Sequence, residues 1–123
     1  MSEASAATIT IGARRGVVVL RCSGEVDMTS AVALRDAIDK AFTDDPPALV
    51  IDLVDVVFFS SPGISALIAA QGRADAAGVA LAVAAASRSV LRPLEVTTVD
   101  LILTLRPSVD EALAALVSVR GGW

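Results

Sequence analysis

The chain has no histidine, no tyrosine and a single cysteine among its 123 residues. Without imidazole the commonest general base of enzymes is missing. With one thiol besides, an ordinary zinc site cannot be assembled. The lone Cys22 excludes an internal disulfide; it falls in a strand-like run, where a small buried thiol is expected. Neither Gly-x-Gly-x-x-Gly nor Gly-x-x-x-x-Gly-Lys occurs, which removes the common nucleotide-binding loops. An enzyme remains possible only through carboxylates, serine or arginine, and no metal or other cofactor is expected. No run approaches the roughly 18 apolar residues of a membrane span, and Asp52 and Asp55 interrupt the most apolar region, so no membrane insertion is expected. The first eight residues lack the basic stretch and apolar core of a secretory signal, which points to the cytoplasm. Ten basic residues stand against fourteen acidic ones, and only Arg14 and Arg15 are adjacent. A net charge of −4 without a basic patch excludes nucleic acid as a partner.

What is present is apolar and small. The hydrophobic share is 54%, mean hydropathy is +0.70, and alanine is abundant. A chain of this length buries one core, so a single domain is expected. Residues 8–13 alternate around Ile9 and Ile11, Arg14-Arg15-Gly16 forms a turn, and residues 17–23 are a β-branched strand; together they make a hairpin. Gly24-Glu25-Val26-Asp27 leaves the sheet, and Thr29 or Ser30 can cap a helix over residues 31–42, with Leu34, Ile38, Ala41 and Phe42 inward. Asp44-Asp45-Pro46-Pro47 is a loop, and residues 48–53 form a nearly continuous apolar strand, as in the middle of a sheet. There Asp52 either ends the strand or accepts hydrogen bonds from the loop after it.

A second helix follows Pro62, using Ile64, Leu67, Ile68 and Gln71 and ending between Gly72 and Gly78. Then come a strand over 79–84, a short helix over 88–95, a final strand or extended segment over 101–105, and a last helix opened by Pro107-Ser108. In that helix Ser108 and Glu111 form a capping box, and Val109, Ala112, Leu113, Leu116 and Val117 form a stripe. The order β-β-α-β-α-β-α-β-α predicts an α/β domain with about four helices and a mostly parallel central sheet begun by an N-terminal hairpin.

The segment Ser60-Ser61-Pro62-Gly63 carries the sharpest signal. Ser61 stands where an N-cap belongs and Pro62 where the first helical residue belongs, since the missing proline N–H costs nothing there. Proline also pushes its predecessor toward the extended geometry of a cap. The same serine is a candidate phosphoacceptor. A phosphate there gains from the helix dipole and the exposed N–H groups, and adds roughly two charges to the surface without unfolding the domain. A nucleophilic serine lacks a base and the Gly-x-Ser-x-Gly elbow. Glu25, Asp27 and Thr29 are read two ways: a turn with its cap, or an acidic loop contributing to a protein interface beside Ser61. Arg88 and Arg92 default to a solvated face.

These residues resemble the STAS domain and, within it, the bacterial anti-sigma factor antagonists. The resemblance rests on residues 17–27, on residues 49–65, and on Pro107-Ser108-Val109-Asp110-Glu111-Ala112-Leu113. It spans residues 8–118, which leaves 1–7 and 119–123 as flexible termini. The family's switch loop reads Asp-Ser-(Ser/Thr/Ala)-Gly-(Leu/Ile/Val)-(Gly/Ser). Here Ser60 takes the aspartate position, Ser61 the phosphoacceptor position and Pro62 the next, while Gly63, Ile64 and Ser65 match. The resemblance implies a protein that is not an enzyme. It would bind an anti-sigma factor of the GHKL kinase type, release a sigma factor, and be switched off by phosphorylation at Ser61; Ser60, one residue outside the cap, is the alternative acceptor. A PP2C-type phosphatase would reverse the switch. Partner contacts would come from Glu25, Asp27, Thr29, Ser60, Ser61, Pro62, Gly63, Ile64 and Ser65. Two departures stand out: Ser60 removes a charge from the loop, and Pro62 removes an N–H that a phosphate could use. The alternative implied by the same domain is a subunit regulating a lipid or solute transport complex.

Overall fold

Arg15 (φ 55°) and Gly16 (φ 78°) both take the left-handed region, the geometry a two-residue hairpin turn requires. They join strand β1 (Ala7–Arg14) to β2 (Val17–Val26), paired antiparallel without a register break. In the computed structural model, which describes the backbone of residues 7–121 and the side chains of residues 7–116, this hairpin begins one five-stranded sheet. The further elements are α1 (Met28–Thr43), β3 (Ala48–Phe59), α2 (Ser61–Ala77), β4 (Ala80–Ala84), α3 (Arg88–Val96), a 3-10 turn (Val99–Leu101), β5 (Leu105–Arg106) and α4 (Val109–Gly121). Spatial order equals chain order, β1-β2-β3-β4-β5, and every pair after the hairpin is parallel. The expected α/β class and element order hold. The expected flexible termini lie mostly outside the described residues, as does the side chain of Val117.

The sheet is covered on both faces, which is why residues 48–51 of β3 and all of β4 are apolar. On one side Leu34, Ile38, Leu67, Ala70, Val90 and Leu94 from α1, α2 and α3 pack on Leu20, Leu49, Ile51 and Val83. On the other, Ala112, Leu113 and Leu116 of α4 pack on Val17, Val50, Ala82 and Ala84. Arg14 pairs with Asp110 at 2.7 Å, tying the hairpin to α4. At the start of α4 the Glu111 amide donates to Ser108 Oγ at 3.1 Å, the first half of the expected capping box.

Several boundaries differ from expectation, each for a physical reason. The third strand does not stop at Asp52. It runs on to Phe59, carrying one extra residue against β2 between Arg21 and Ser23 and another between Gly24 and Glu25. At the first bulge the buried Asp52 carboxylate accepts the Val54 amide at 3.0 Å, so it steadies the irregular backbone instead of ending it. Gly24 (φ 92°) faces the second irregularity. The final strand shrinks to two residues, because residues 99–103 turn helically and bury Val99 and Leu103 four apart while Leu101 stays exposed. On α2 the buried face is Ile64, Ala66, Leu67, Ala70 and Ala74; Ile68 is 44% exposed and leaves the stripe. Helix α2 closes at Gly78 in the left-handed region (φ 71°), and its amide caps Ala74.

Candidate functional site

The C-terminal ends of β2 and β3 lie side by side, Glu25 against Phe58 and Val26 against Phe59. Each strand then turns directly into a helix, so the N-termini of α1 and α2 emerge at the same end of the sheet. The Ser60 amide donates to the Val26 carbonyl at 2.9 Å, locking the two turns together.

The first turn is capped by Asp27, not by Thr29 or Ser30 as the sequence suggested. Its carboxylate accepts the amides of Thr29 at 3.0 Å and Ser30 at 2.9 Å. Ser30 Oγ in return accepts the Asp27 amide at 2.9 Å and donates to the Glu25 carbonyl at 2.7 Å. The box is thus reciprocal, with serine at the third helical position. The Ser30 and Thr29 hydrogen bonds favour the charged carboxylate and hold the Asp27 carboxyl below its ordinary value of 3.8. Asp27 therefore shapes the turn, while Glu25 and Thr29 stand exposed on it.

The second turn is shifted by one residue from expectation. Ser60, with extended backbone (φ −88°, ψ 170°), is the N-cap of α2; Ser61 is the first helical residue and Pro62 the second. Ser60 is nevertheless a cap in backbone only: its carbonyl accepts the Ile64 amide at 3.1 Å, but its side chain makes no cap hydrogen bond. A capping hydroxyl reaches the second or third helical amide, and Pro62 has removed the second. Ser60 Oγ turns inward instead, shielded from solvent and without a hydrogen-bond partner among the described residues. Ser61 and Ser65 are exposed. Gly63 and Ile64 face inward. A Cβ on Gly63 would lie 2.9 Å from the Phe59 ring and 3.0 Å from Val26, so glycine lets α2 start this close to the strands.

Pro62, the neighbour of Ser61, lines an apolar groove that the sequence did not single out. Met28 (76% exposed) and Val32 (60%) on α1 line a groove of about 220 Å³ with Ala31, Arg35 and Pro62. Phe58 is 49% exposed at the end of β3 beside Glu25. The signal was present: Met28 and Val32 sit four apart on α1, outside its buried stripe. Beyond Asp52, β3 outruns β4 and is met instead by the start of α3, where Ser87 Oγ donates to the Val56 carbonyl at 3.0 Å. Arg88 and Arg92 are exposed on that helix. No helix among the described residues is long and apolar enough to cross a membrane.

The site thus offers an exposed serine at a helix start, flanked by apolar side chains and an acidic turn. Known proteins share the framework. The STAS domain family matches residues 8–112. The anti-sigma-F factor antagonist RsfB of Mycobacterium tuberculosis is 35% identical over 122 residues, covering 99% of this chain and 97% of its own. The crystal structure of an anti-sigma factor antagonist from Mycobacterium paratuberculosis is 36% identical, with a TM-score of 0.86 over 94% of this chain and 98% of that one. The anti-sigma factor antagonist SpoIIAA in its unphosphorylated form shares the fold at 18% identity, with a TM-score of 0.73 over 93% and 97% of the two chains. With the family matched over most of the chain and these relatives over nearly all of it, the chain belongs to the STAS domain family, in its anti-sigma factor antagonist group.

Proposed function

We propose that this protein is a cytoplasmic anti-sigma factor antagonist that acts by binding, without catalysis of its own. It docks an anti-sigma factor of the GHKL kinase type at the end of the sheet where α1 and α2 begin, and so releases a sigma factor. The names of two relatives above 30% identity support the antagonist role. The Met28, Val32, Pro62 and Phe58 surface supplies apolar contact, with Glu25, Thr29 and Ser65 as a polar rim.

Phosphorylation of Ser61 by the bound kinase ends the complex, and a PP2C-type phosphatase restores it. One observation carries the choice of acceptor: Ser61 is exposed while Ser60 Oγ is shielded from solvent. A phosphate on Ser61 places roughly two negative charges beside the apolar groove. Docking then requires desolvating those charges without a partner, which is costly.

Incubation with the cognate kinase and ATP, followed by mass spectrometry, should place one phosphate on Ser61 and none on Ser60. Absence of modification from both serines would remove the switch. In a pull-down, Ser61→Ala should retain the anti-sigma factor and Ser61→Glu should lose it. Equal retention by both, or recovery of a transport ATPase in its place, would overturn the reading.

A further inference from the structure

Among the described residues strand β1 is the outer strand of the sheet, and from Thr8 onward it pairs with β2 alone. Exposed edges of this length are normally blunted by a charge, a proline or a bulge. From Thr8 to Ala13 this strand has none of these, and its register with β2 is unbroken. Arg14 and Val17 flank the two-residue turn and form a hydrogen-bonded pair. Strict alternation then turns the backbone N–H and C=O groups of Ile9, Ile11 and Ala13 away from β2, toward the open edge.

We propose that this edge joins two copies of the chain, β1 to β1 and antiparallel, about a two-fold axis at Thr10. The segment Ile9-Thr10-Ile11 is symmetric about that point, and Thr8 then stands opposite Gly12 of the other copy. Ile9 of one copy meets Ile11 of the other, both pairs on the open-edge parity and both on the α1 side of the sheet, since Ile9 lies opposite the buried Cys22. Ile11 is 44% exposed and gains a partner there.

The groove over this edge matches the same axis. It has a volume of about 460 Å³ and is lined by Ile9, Ile11, Ala33, Asp36, Ala37 and Lys40. Ala33 and Ala37 leave room for the opposing isoleucines. Asp36 and Lys40 lie four apart on α1, and the two-fold axis runs the α1 helices antiparallel, bringing Lys40 of the partner subunit toward Asp36. A groove holding one acid and one base on one stripe is complementary to its own copy. No acidic residue lies on β1, so the net charge of −4 is not concentrated at the seam. The axis is perpendicular to the sheet, so the C-terminal ends of β2 and β3 point in opposite directions in the two copies, and both Ser61 surfaces stay open.

Sedimentation velocity of the full chain over a concentration series tests this. Wild type should show a concentration-dependent dimer. Ile11→Pro removes an edge N–H from each copy while sparing the β1–β2 bonds; it should raise the dissociation constant about thirtyfold with an unchanged circular dichroism spectrum. Asp36→Lys and Lys40→Asp should each weaken the dimer, and the two together should restore it, which a misfolded hairpin would not. A wild type that stays monomeric throughout the series would overturn the proposal, as would a dimer indifferent to all of these variants.

Discussion

Two glycines of α2, Gly63 and Gly72, should respond oppositely to the same substitution. Alanine at either position gains about 0.5–1 kcal/mol, because it restricts the unfolded chain and favours the helix. At Gly72 a Cβ meets nothing within 4 Å, so the gain is realised in full. At Gly63 the Cβ lies 2.9 Å from two atoms of the Phe59 ring and 3.0 Å from Val26 Cγ1. Phe59 is only 4% exposed and Val26 fully buried, so neither can swing into solvent. Overpacking of this kind costs about 1–3 kcal/mol, which exceeds the helix gain. Gly63→Ala should therefore lose about 1 kcal/mol and Gly72→Ala gain slightly less. In thermal unfolding this separates the variants by about 8 °C; urea titrations should show shifted midpoints at constant slope. The displaced Phe59 also moves the adjoining Ser60–Val26 hydrogen bond, so Gly63→Ala should weaken anti-sigma factor binding while Gly72→Ala leaves it alone. Equal stabilisation by both substitutions would refute the close approach of α2 to the strand ends.

The buried, unpartnered Ser60 hydroxyl implies that Ser60→Ala is neutral or stabilising by up to about 1 kcal/mol, whereas a true capping serine would lose about that much; chemical denaturation distinguishes the two. Asp27, its carboxyl held below 3.8 by the Ser30 and Thr29 hydrogen bonds, stabilises the fold above that pH. This contribution disappears as pH falls through the lower folded value. Asp27→Asn keeps an acceptor but does not titrate, so the stability gap to wild type should close on acidification; a gap constant with pH would contradict this. Burial, with the Asp52 charge adding to it, pushes the Cys22 thiol from 9.0 to about 11. The native thiol should resist a thiol reagent at neutral pH and react on unfolding. Between 9.0 and about 11 the unfolded chain gives up the proton first, so stability falls as pH rises through that range. Cys22→Ala should remove that component of the slope.

The element order was legible because its signals are local. Alternation around Ile9 and Ile11, the β-branched run after Gly16 and the helical spacing of Leu34, Ile38 and Phe42 each announce their structure within a few residues. The illegible parts depended on partners in space. Nothing near Asp52 shows that β2 will continue to pair past a bulge, so the sequence could not choose between a strand end and a carboxylate that accepts from the following residues. The Val54 amide bond agrees with the second, though those residues are strand and not loop. Residues 101–105 are apolar enough for a strand, but Val99 and Leu103 satisfy the core from a turn of helix, leaving only Leu105 and Arg106 to pair. Ile68 has the right spacing to be buried, but among the described residues no neighbouring element covers it.

The same distinction governs the site. Ser61 and the helix after it could be read directly, because serine before proline is a strong start signal. The cap itself was displaced by one residue. Two bulges lengthen β3, its last pair sets Phe59 against Val26, and the Val26 carbonyl then takes the Ser60 amide. That bond makes Ser60 the last extended residue and draws Ser61 into the first turn, against the preference of a residue before proline. Strand pairing outweighs the local rule here, since an unpaired buried carbonyl costs more than a disfavoured torsion. The displacement changes the chemistry of both serines. The hydroxyl in the capping position is buried and denied its second-position amide by Pro62. The next hydroxyl is freed from capping and left exposed next to Pro62, which lines a groove with Met28 and Val32; the proposed phosphorylation would add charge there without breaking a cap hydrogen bond.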